Sequence, residues 1–328
     1  MSERLMLLDS ASLYFRAFFG IKETVLAPDG TPVNAVRGFL DMVATLVARR
    51  RPDRLVACWD DDWRPAFRVA AIPSYKSHRL ADPSTGLGPG AEDSPPGLDV
   101  QVPIIVEALA ALGIARLGGA GLEADDVIGT LATREVAGGR IGDVDIVTGD
   151  RDLFQLVDDA AGVRVLYTGK GVRNLEIVDQ GYLEGRYGIG SGLGYAAMAA
   201  LRGDPSDGLP GVPGIGEKTA AALVSRYGDL DRLRAAALDA ASDLSPAVRR
   251  RLGEASDYLD VAMTVVGVVR DADLPSPDDA LPPTPPDHDA LVAFARRWGL
   301  DSPVARVVEA LSSSGRKRPE FPQGTGRN

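Results

Sequence analysis

The sequence is poor in the residues that form disulfides and histidine-centred sites. Cysteine occurs once in 328 residues, at Cys58, so a disulfide within the chain is excluded and a reducing compartment is expected. Histidine occurs only at His78 and His288, and neither lies in an HExxH pattern. Histidine-rich zinc sites and most schemes that pair a nucleophile with histidine are therefore disfavoured. Any chemistry is expected to depend on carboxylates.

Long apolar runs are also missing. No stretch approaches the roughly 18 apolar residues that a membrane helix needs, and the N-terminus lacks the apolar segment of a signal peptide. We therefore expect a cytoplasmic protein without a membrane partner. The net charge of −10 by itself disfavours nucleic acid, since phosphate binding prefers a basic surface. That objection weakens if many of the acids bind cations, because bound cations invert the local field.

Acidic residues are placed directly after short apolar segments and in turns. The series consists of Asp9, Asp60, Glu123, Asp125, Asp126, Asp150, Asp152, Asp204 and Asp207. Each acid alone is explained by a helix N-terminus or a turn, but the whole series is not. In an open α/β sheet the carboxyl ends of the strands meet at the functional crevice. The series therefore predicts a site for Mg²⁺ or Mn²⁺, with enough oxygen ligands for two ions and phosphodiester hydrolysis as the reaction class.

Strand and helix patterns alternate through the first half of the chain. Strands are predicted at 4–8, 54–59, 114–117, 143–148, 163–167 and 175–178. This alternation predicts an α/β fold with a mostly parallel sheet. The pattern is helical from residue 183, so the predicted regions are 1–182 and 183–310, followed by a disordered tail at 311–328. The stretch 80–99 is rich in glycine and proline and is predicted to be a mobile loop.

Two further segments suggest contacts with nucleic acid. The segment GLPGVPGIGEKTA at 208–220 predicts a tight hairpin that enters a helix and offers backbone N–H groups to a phosphate. An ordinary packing corner between two helices is the alternative. The segment 67–79 places Tyr75 beside Lys76 and Arg79, a combination suited to base stacking and phosphate contact. Its alternative is a solvated loop with a surface tyrosine.

The order of these motifs resembles a known family. YKSHR, EADDVIGTLA, TGDRD and LRGDPSDGLPGVPGIGEKTA are similar to the 5′-nuclease domain of bacterial DNA polymerase I and, equally, to stand-alone bacterial 5′-3′ exonucleases of the flap endonuclease superfamily. The resemblance covers residues 4–310, and since no polymerase domain follows, the stand-alone type is expected. It implies a PIN-like nuclease core with an arch-like loop at 80–99 and a helix-3-turn-helix DNA-binding region. It also implies a potassium ion in the 208–220 hairpin.

The resemblance assigns roles to particular residues. One metal group is implied by Asp9, Asp60, Glu123, Asp125 and Asp126, and the other by Asp150, Asp152, Asp204 and Asp207. Lys76 and Arg79 match residues that contact the scissile phosphate, and Tyr75 matches an aromatic residue that stacks on the terminal base. The clamp on the uncleaved duplex strand is implied for Gly214, Gly216, Lys218 and Thr219.

This chain departs from the family pattern at three places. One additional residue in WDDDWRPAFR leaves Asp61 as an alternative to Asp60. The loop 80–99 is acidic where an ordered basic arch would thread a single strand. Gly208 stands where asparagine is common, and little effect is expected from this difference.

The resemblance implies a metal-dependent 5′-3′ exonuclease and structure-specific 5′-flap endonuclease that hydrolyses DNA in replication and repair by a two-metal mechanism. The expected partner is DNA with 5′ ends, flaps or junctions. The expected state is a monomer without an organic cofactor. Two other functions stay open, namely a non-catalytic module that binds DNA junctions and a PIN-type ribonuclease.

Overall fold

Six short apolar segments pair into one sheet. The computed structural model describes residues 3–82, 84, 90–139 and 143–314, and its strands are β1 (Leu5–Asp9), β2 (Arg54–Cys58), β3 (Ala115–Leu117), β4 (Val144–Thr148), β5 (Val163–Tyr167) and β6 (Glu176–Val178). The strand order is β3-β2-β1-β4-β5-β6. All neighbouring strands are parallel except β5 and β6, which are antiparallel. The predicted α/β fold with a mostly parallel sheet is therefore confirmed.

Helices occupy most of the remaining described chain. In the first half they are α1 (Ser10–Gly20), α2 (Asn34–Arg50), α3 (Ala66–Ala71), α4 (Val102–Leu112) and α5 (Ala124–Ala137). In the second half they are α6 (Gln180–Tyr187), α7 (Gly192–Arg202), α8 (Glu217–Tyr227), α9 (Leu230–Leu238), α10 (Pro246–Glu254), α11 (Ser256–Val266), α12 (His288–Trp298) and α13 (Asp301–Ser314). In the part of the chain that the structure describes, no helix is both long and apolar enough to cross a bilayer.

The sheet has an apolar core on each face. Along β1, Met6 and Leu8 pack into the core that includes α1, α2 and α4, whereas Leu5 and Leu7 pack into the opposite core with α5. Because both faces are covered, the strand is apolar throughout rather than alternating. The strand order changes direction between β1 and β4. In open α/β sheets this switch point is where a ligand crevice forms, outside the carboxyl ends of the strands.

The last two helices return to the first core. Leu291 and Phe294 of α12 and Val307 of α13 are buried together with side chains of α2 and α4. Packing therefore divides the predicted region 183–310, with α6–α11 on one side and α12–α13 against the first core. Residues 311–314 belong to α13, so the predicted disordered tail is wrong at these positions, where Leu311 is buried. The rest of that tail lies outside the described residues.

The predicted loop 80–99 is described only near its ends. The amide of Ala81 donates to the carbonyl of Ala91 at 2.9 Å, and the amide of Asp93 donates to the carbonyl of Arg79 at 2.8 Å. Leu98 is buried in the first core. Residues 83 and 85–89 lie outside the described residues, so the prediction of an arch-like loop stays a prediction.

Candidate metal centre

A cavity of about 510 Å³ opens at the carboxyl ends of β1, β2 and β4. Seven of the nine predicted metal ligands line it, and they are Asp9, Asp60, Glu123, Asp125, Asp150, Asp152 and Asp204. The switch point of the sheet thus brings together acids that lie up to about two hundred residues apart in sequence. Lys76 and Arg79 line the same cavity.

The ends of β1 and β2 fix two acids on the same side of the switch point. Asp9 is the last residue of β1, and its carboxylate accepts from the amide of Ser12 at 3.1 Å and from the hydroxyl of Thr148 at 2.6 Å. Asp60 follows β2 and accepts from the amide of Ala124 at 2.7 Å, at the start of α5. Burial raises the pKa of Asp9 to about 7, the Thr148 hydrogen bond opposes this shift, and the neighbouring Asp60 charge adds to it.

Two other acids are buried beside like charges. Burial raises the pKa of Asp125 well above its ordinary value, and the charges of Asp150 and Asp9 add to this shift. Burial likewise raises the pKa of Asp152, again with Asp150 as a contributor. Among the described residues, no lysine or arginine forms an ion pair with Asp125 or Asp152. Their negative charge is therefore uncompensated by the protein itself.

Glu123 is the cavity acid that binds the basic side chains of Arg68 and Lys76. Its carboxylate accepts from Lys76 Nζ at 2.5 Å, from Arg68 Nη1 at 2.7 Å and from the Tyr75 hydroxyl at 2.8 Å. Lys76 thus faces the cavity as predicted. Tyr75 does not, because its ring is only 3% exposed and its hydroxyl is bound to Glu123. The prediction that Tyr75 stacks on a terminal base is not supported by this position.

Asp126 requires a correction to the predicted ligand set. It is fully buried outside the cavity wall and accepts two hydrogen bonds from Arg68, each at 2.7 Å. The amide of Val269 donates a further bond at 2.9 Å. Because its oxygens already accept hydrogen bonds from the Arg68 guanidinium and the Val269 amide, Asp126 stabilises the fold next to the cavity.

Asp207 and Asp61 also point away from the cavity. Asp207 forms an ion pair with Arg79 at 2.7 Å and is absent from the cavity wall. Asp61 is exposed and pairs with Arg116. Of the two alternatives that the sequence left open, Asp60 is the one that lines the cavity.

Three aromatic side chains in the cavity wall were not singled out from the sequence. Tyr14 and Phe15 reach the cavity from α1, and Trp63 reaches it from the segment after β2. Phe15 and Trp63 are partly exposed. Their positions a few residues after Asp9 and Asp60 are the signal that could have identified them. Tyr14 and Phe15 lie in the second turn of the helix that starts at the end of β1, and Trp63 lies in the irregular segment before α3.

The chemistry of the cavity fits divalent cations. Hard cations with oxygen ligands are the groups that best offset converging carboxylates, and none of the four acids Asp9, Asp60, Asp125 and Asp152 has an arginine or lysine partner in the described residues. As they stand, no three carboxylate, histidine or cysteine side chains of the described chain are close enough to hold an ion. The acids would converge only once a cation offsets their repulsion, which is consistent with the raised pKa of Asp9 and Asp125.

The predicted hairpin at 208–220 lies apart from the cavity wall. Its chain leads into α8, which begins at Glu217, as predicted. The four predicted DNA-binding residues are exposed, and they are Gly214, Gly216, Lys218 and Thr219. Arg251 Nη1 of α10 donates to the carbonyl of Gly214 at 3.1 Å. Arg251 thus anchors the hairpin to α10, while the four residues named above, which form its exposed edge, stay accessible to solvent.

Two domain families match the chain. One is described as "5′-3′ exonuclease, N-terminal resolvase-like domain" and matches residues 4–188. The other is described as "5′-3′ exonuclease, C-terminal SAM fold" and matches residues 193–289.

Two bacterial 5′-3′ exonucleases match along almost their whole length, and a DNA polymerase I matches along about a third of its own. A 5′-3′ exonuclease of Streptomyces coelicolor is 58% identical over 308 residues, covering 94% of this chain and 100% of the relative. A 5′-3′ exonuclease of Mycobacterium tuberculosis is 48% identical over 319 residues, covering 95% and 99%. DNA polymerase I of Mycobacterium leprae is 37% identical over 326 residues, which are 98% of this chain but 33% of the polymerase.

Solved structures share the fold at low sequence identity. The bacteriophage T5 5′-exonuclease with bound divalent zinc ions has a TM-score of 0.59 at 14% identity, covering 96% of this chain and 100% of that chain. The catalytic core of Rad2 in complex with DNA substrate has a TM-score of 0.57 at 19% identity, covering 95% and 93%.

Proposed function

The chain belongs to the 5′-3′ exonuclease family and is a nuclease; from this premise we propose that it hydrolyses DNA as a divalent-metal-dependent 5′-3′ exonuclease and structure-specific 5′-flap endonuclease. The observation that supports this proposal best is the group of uncompensated carboxylates at the switch point of the sheet. Family membership decides against a non-catalytic junction-binding module. The relatives named DNA polymerase I favour DNA over RNA as substrate and a role in replication and repair.

We assign the cavity acids to two metal positions for Mg²⁺ or Mn²⁺. Asp9, Asp60, Glu123 and Asp125 form the first group, and Asp150, Asp152 and Asp204 form the second. Asp126 is left out because both of its oxygens accept from Arg68 and it does not line the cavity, whereas Glu123 lines the cavity although it also accepts from Arg68. Two such ions would offset charge on the attacking and leaving oxygens of a phosphodiester and lower the pKa of a nucleophilic water.

Lys76 and Arg79 supply the positive charge in this acidic cavity. Both line it, Lys76 bound to Glu123 and Arg79 bound to Asp207. We propose that they transfer these bonds to the scissile phosphate and stabilise the charge that develops in the transition state. Asp207 would then be free to join the second metal group.

We assign the contacts with nucleotide bases to aromatic residues other than Tyr75. Phe15 and Trp63 present partly exposed rings in the cavity wall. A ring of this kind binds any base face, since stacking tolerates all sequences. We propose that they hold the terminal nucleotides while Lys76 and Arg79 contact the phosphate between them.

The exposed edge of the hairpin fits the duplex next to the cleavage site. A Cβ at Gly216 would meet no atom within 4 Å, so a phosphate has room to approach the backbone there, whereas a Cβ at Gly214 would meet the Arg251 side chain. The amino end of α8 favours an anion. Lys218 adds a positive charge on the same exposed edge. We propose that a potassium ion in this hairpin assists the contact, and that the protein acts as a monomer in the cytoplasm.

The test is cleavage of a 5′-flapped DNA duplex with Mg²⁺ or Mn²⁺, beside the same reaction in EDTA. We expect metal-dependent cutting near the junction that leaves a 5′-phosphate and a 3′-hydroxyl. An RNA strand of the same sequence serves as the control for substrate class. Cleavage of RNA alone would replace this proposal with a ribonuclease, and cleavage in EDTA would exclude the role given to the carboxylates.

A further inference from the structure

The basic segment Ser74–Arg79 lies directly against the acidic turn Asp204–Leu209. The hydroxyl of Ser74 donates to the carbonyl of Gly208 at 2.9 Å. Arg79 reaches the same turn with an ion pair to Asp207 at 2.7 Å. The segment that carries Lys76 and Arg79, two of the three cationic residues in the cavity lining, is therefore held by the turn.

In this backbone, Gly208 permits an approach that a Cβ atom would obstruct. A Cβ atom at this position would lie 2.2 Å from the carbonyl oxygen of Ser74, whereas real Cβ atoms essentially never come within 3.0 Å of another heavy atom. A side chain would therefore push the basic segment away by about 1 Å. The φ of Gly208 is +73°, in the left-handed region that favours glycine.

The contact fixes the backbone of Lys76. Its φ is +47°, and in the described chain Arg51 is the only other residue besides glycine with a positive φ. The amide of Lys76 donates to the carbonyl of Asp207 at 2.9 Å, which holds this unusual conformation. From that backbone position, Lys76 Nζ reaches Glu123 in the cavity.

We propose that Gly208 is a positioning residue for the nuclease reaction. By lacking a Cβ it lets the turn hold Ser74–Arg79, so that Lys76 and Arg79 are aimed at the cavity before substrate binds. The inference rests on the proposed function, because it assumes that these two residues act on the scissile phosphate. It replaces the expectation that glycine at 208 has little effect.

Gly188 offers a matched control for the substitution Gly208→Ala. Its backbone has φ 71° and ψ 25°, against 73° and 21° for Gly208, and a Cβ at Gly188 would meet no atom within 4 Å. Both alanine variants carry the same backbone strain, but only one displaces the basic segment. The difference between them isolates the close contact.

The measurement is single-turnover cleavage of a 5′-flapped duplex at saturating Mn²⁺, with duplex affinity determined separately. We expect Gly208→Ala to lower kcat by about 10²-fold with an unchanged KM, because a misplacement of about 1 Å costs that much. Gly188→Ala is expected to change kcat by less than about twofold. If Gly208→Ala does not fold, Ser74→Ala removes one contact of the same interface, and we expect it to lower kcat by about fivefold.

A variant that lacks the side chains of Lys76 and Arg79 shows whether Gly208 acts through these two residues. In a protein carrying Lys76→Ala and Arg79→Ala, adding Gly208→Ala is expected to lower kcat by less than about threefold, since coupled residues are not additive. An undiminished loss in that background, or equal losses from the two glycine variants, would overturn the inference. A wild-type protein that cleaves nothing would instead overturn the proposed function.

Discussion

The two ends of the sheet both bury aspartates, but they treat them differently. At the amino end, Asp145 is fully buried and accepts from Arg50 at 3.0 Å and from Arg164 at 2.7 Å. Asp143 beside it pairs with Arg4 at 2.8 Å, and this bond lowers the pKa of Asp143. At the carboxyl end, burial and like charges raise the pKa of Asp125 instead.

The difference separates acids that stabilise the fold from acids that await a ligand. A buried carboxylate with arginine partners has its charge offset within the protein, whereas one that faces other carboxylates needs a proton or a cation from solution. Asp126 follows the first pattern although it lies in the acidic motif, because Arg68 is its partner. Pairing with arginine therefore distinguishes Asp126, Asp143 and Asp145 from Asp125, whereas Glu123 lines the cavity although it accepts from Arg68 and Lys76.

The largest effect is expected from neutralising an unpaired acid. Asp125→Asn or Asp150→Asn should lower cleavage of a flapped duplex by about 10³-fold or more, because a metal position is lost. Duplex affinity should survive, since the hairpin at 208–220 is separate from the cavity wall. Gel-based cleavage and fluorescence anisotropy measure the two quantities. An unchanged cleavage rate in both variants would refute the assignment.

A paired acid should show the opposite behaviour. Asp145→Asn removes the buried carboxylate that pairs with Arg50 and Arg164, although Arg164 keeps its ion pair with Asp143, so the free energy of unfolding should fall by about 3 kcal/mol. The cleavage rate of the folded fraction should stay within about twofold of wild type. Urea denaturation and a rate normalised to folded protein check this. A large loss of rate with full stability would remove the distinction between the two ends.

The two ends should also respond to pH in opposite directions in metal-free protein. Asp9 has a pKa raised to about 7, so its stabilising contribution is complete below about pH 4 and is lost as the pH rises through 7. The lowered pKa of Asp143 gives a contribution that is present above about pH 4 and lost on further acidification.

The pH dependence of stability predicted for Asp9 is tested by thermal unfolding in EDTA between about pH 5 and 9. Asp9→Asn should weaken the decline with rising pH, to which Asp125 and Asp152 with their raised pKa values also contribute, and at about pH 8 it should raise the free energy of unfolding by roughly 2 kcal/mol. A wild-type protein whose stability rises steadily across this range would contradict the raised pKa of Asp9.

The smallest effect separates two adjacent aspartates. Asp61 is exposed and pairs with Arg116 outside the cavity, so Asp61→Asn should change the cleavage rate by less than about twofold. Asp60→Asn is the matched variant and should lower the rate by about 10²-fold or more. If Asp61→Asn is the more damaging substitution, the additional residue in that segment has shifted the ligand after all.

Much of the fold was predictable because its signals are local. The strands β1, β2 and β4 are short, almost fully buried runs, and the acids at or after their ends lie at the predicted edge of the sheet. The errors concern partners that are distant in sequence. Arg68 binds Asp126 across 58 positions, and Tyr75 binds Glu123 across 48. No spacing rule reveals such pairs.

One of these errors had a local warning. Successive residues of a helix point about 100° apart, so Asp125 and Asp126 point in different directions from α5. Only the register of α5 against the sheet decides which of them does. The packing of α12 and α13 on the first core was likewise unpredictable, because an amphipathic pattern shows that a helix is covered but not by which element.

The claim that the unpaired acids are the metal site is tested most directly by Mn²⁺ binding, measured by calorimetry on the wild-type protein, Asp125→Asn and Asp145→Asn. If the unpaired acids form the metal site, we expect the wild-type protein and Asp145→Asn to bind Mn²⁺ alike and Asp125→Asn to lose most of the affinity. Equal binding by all three proteins would contradict it, because the unpaired acids would then not be the metal site.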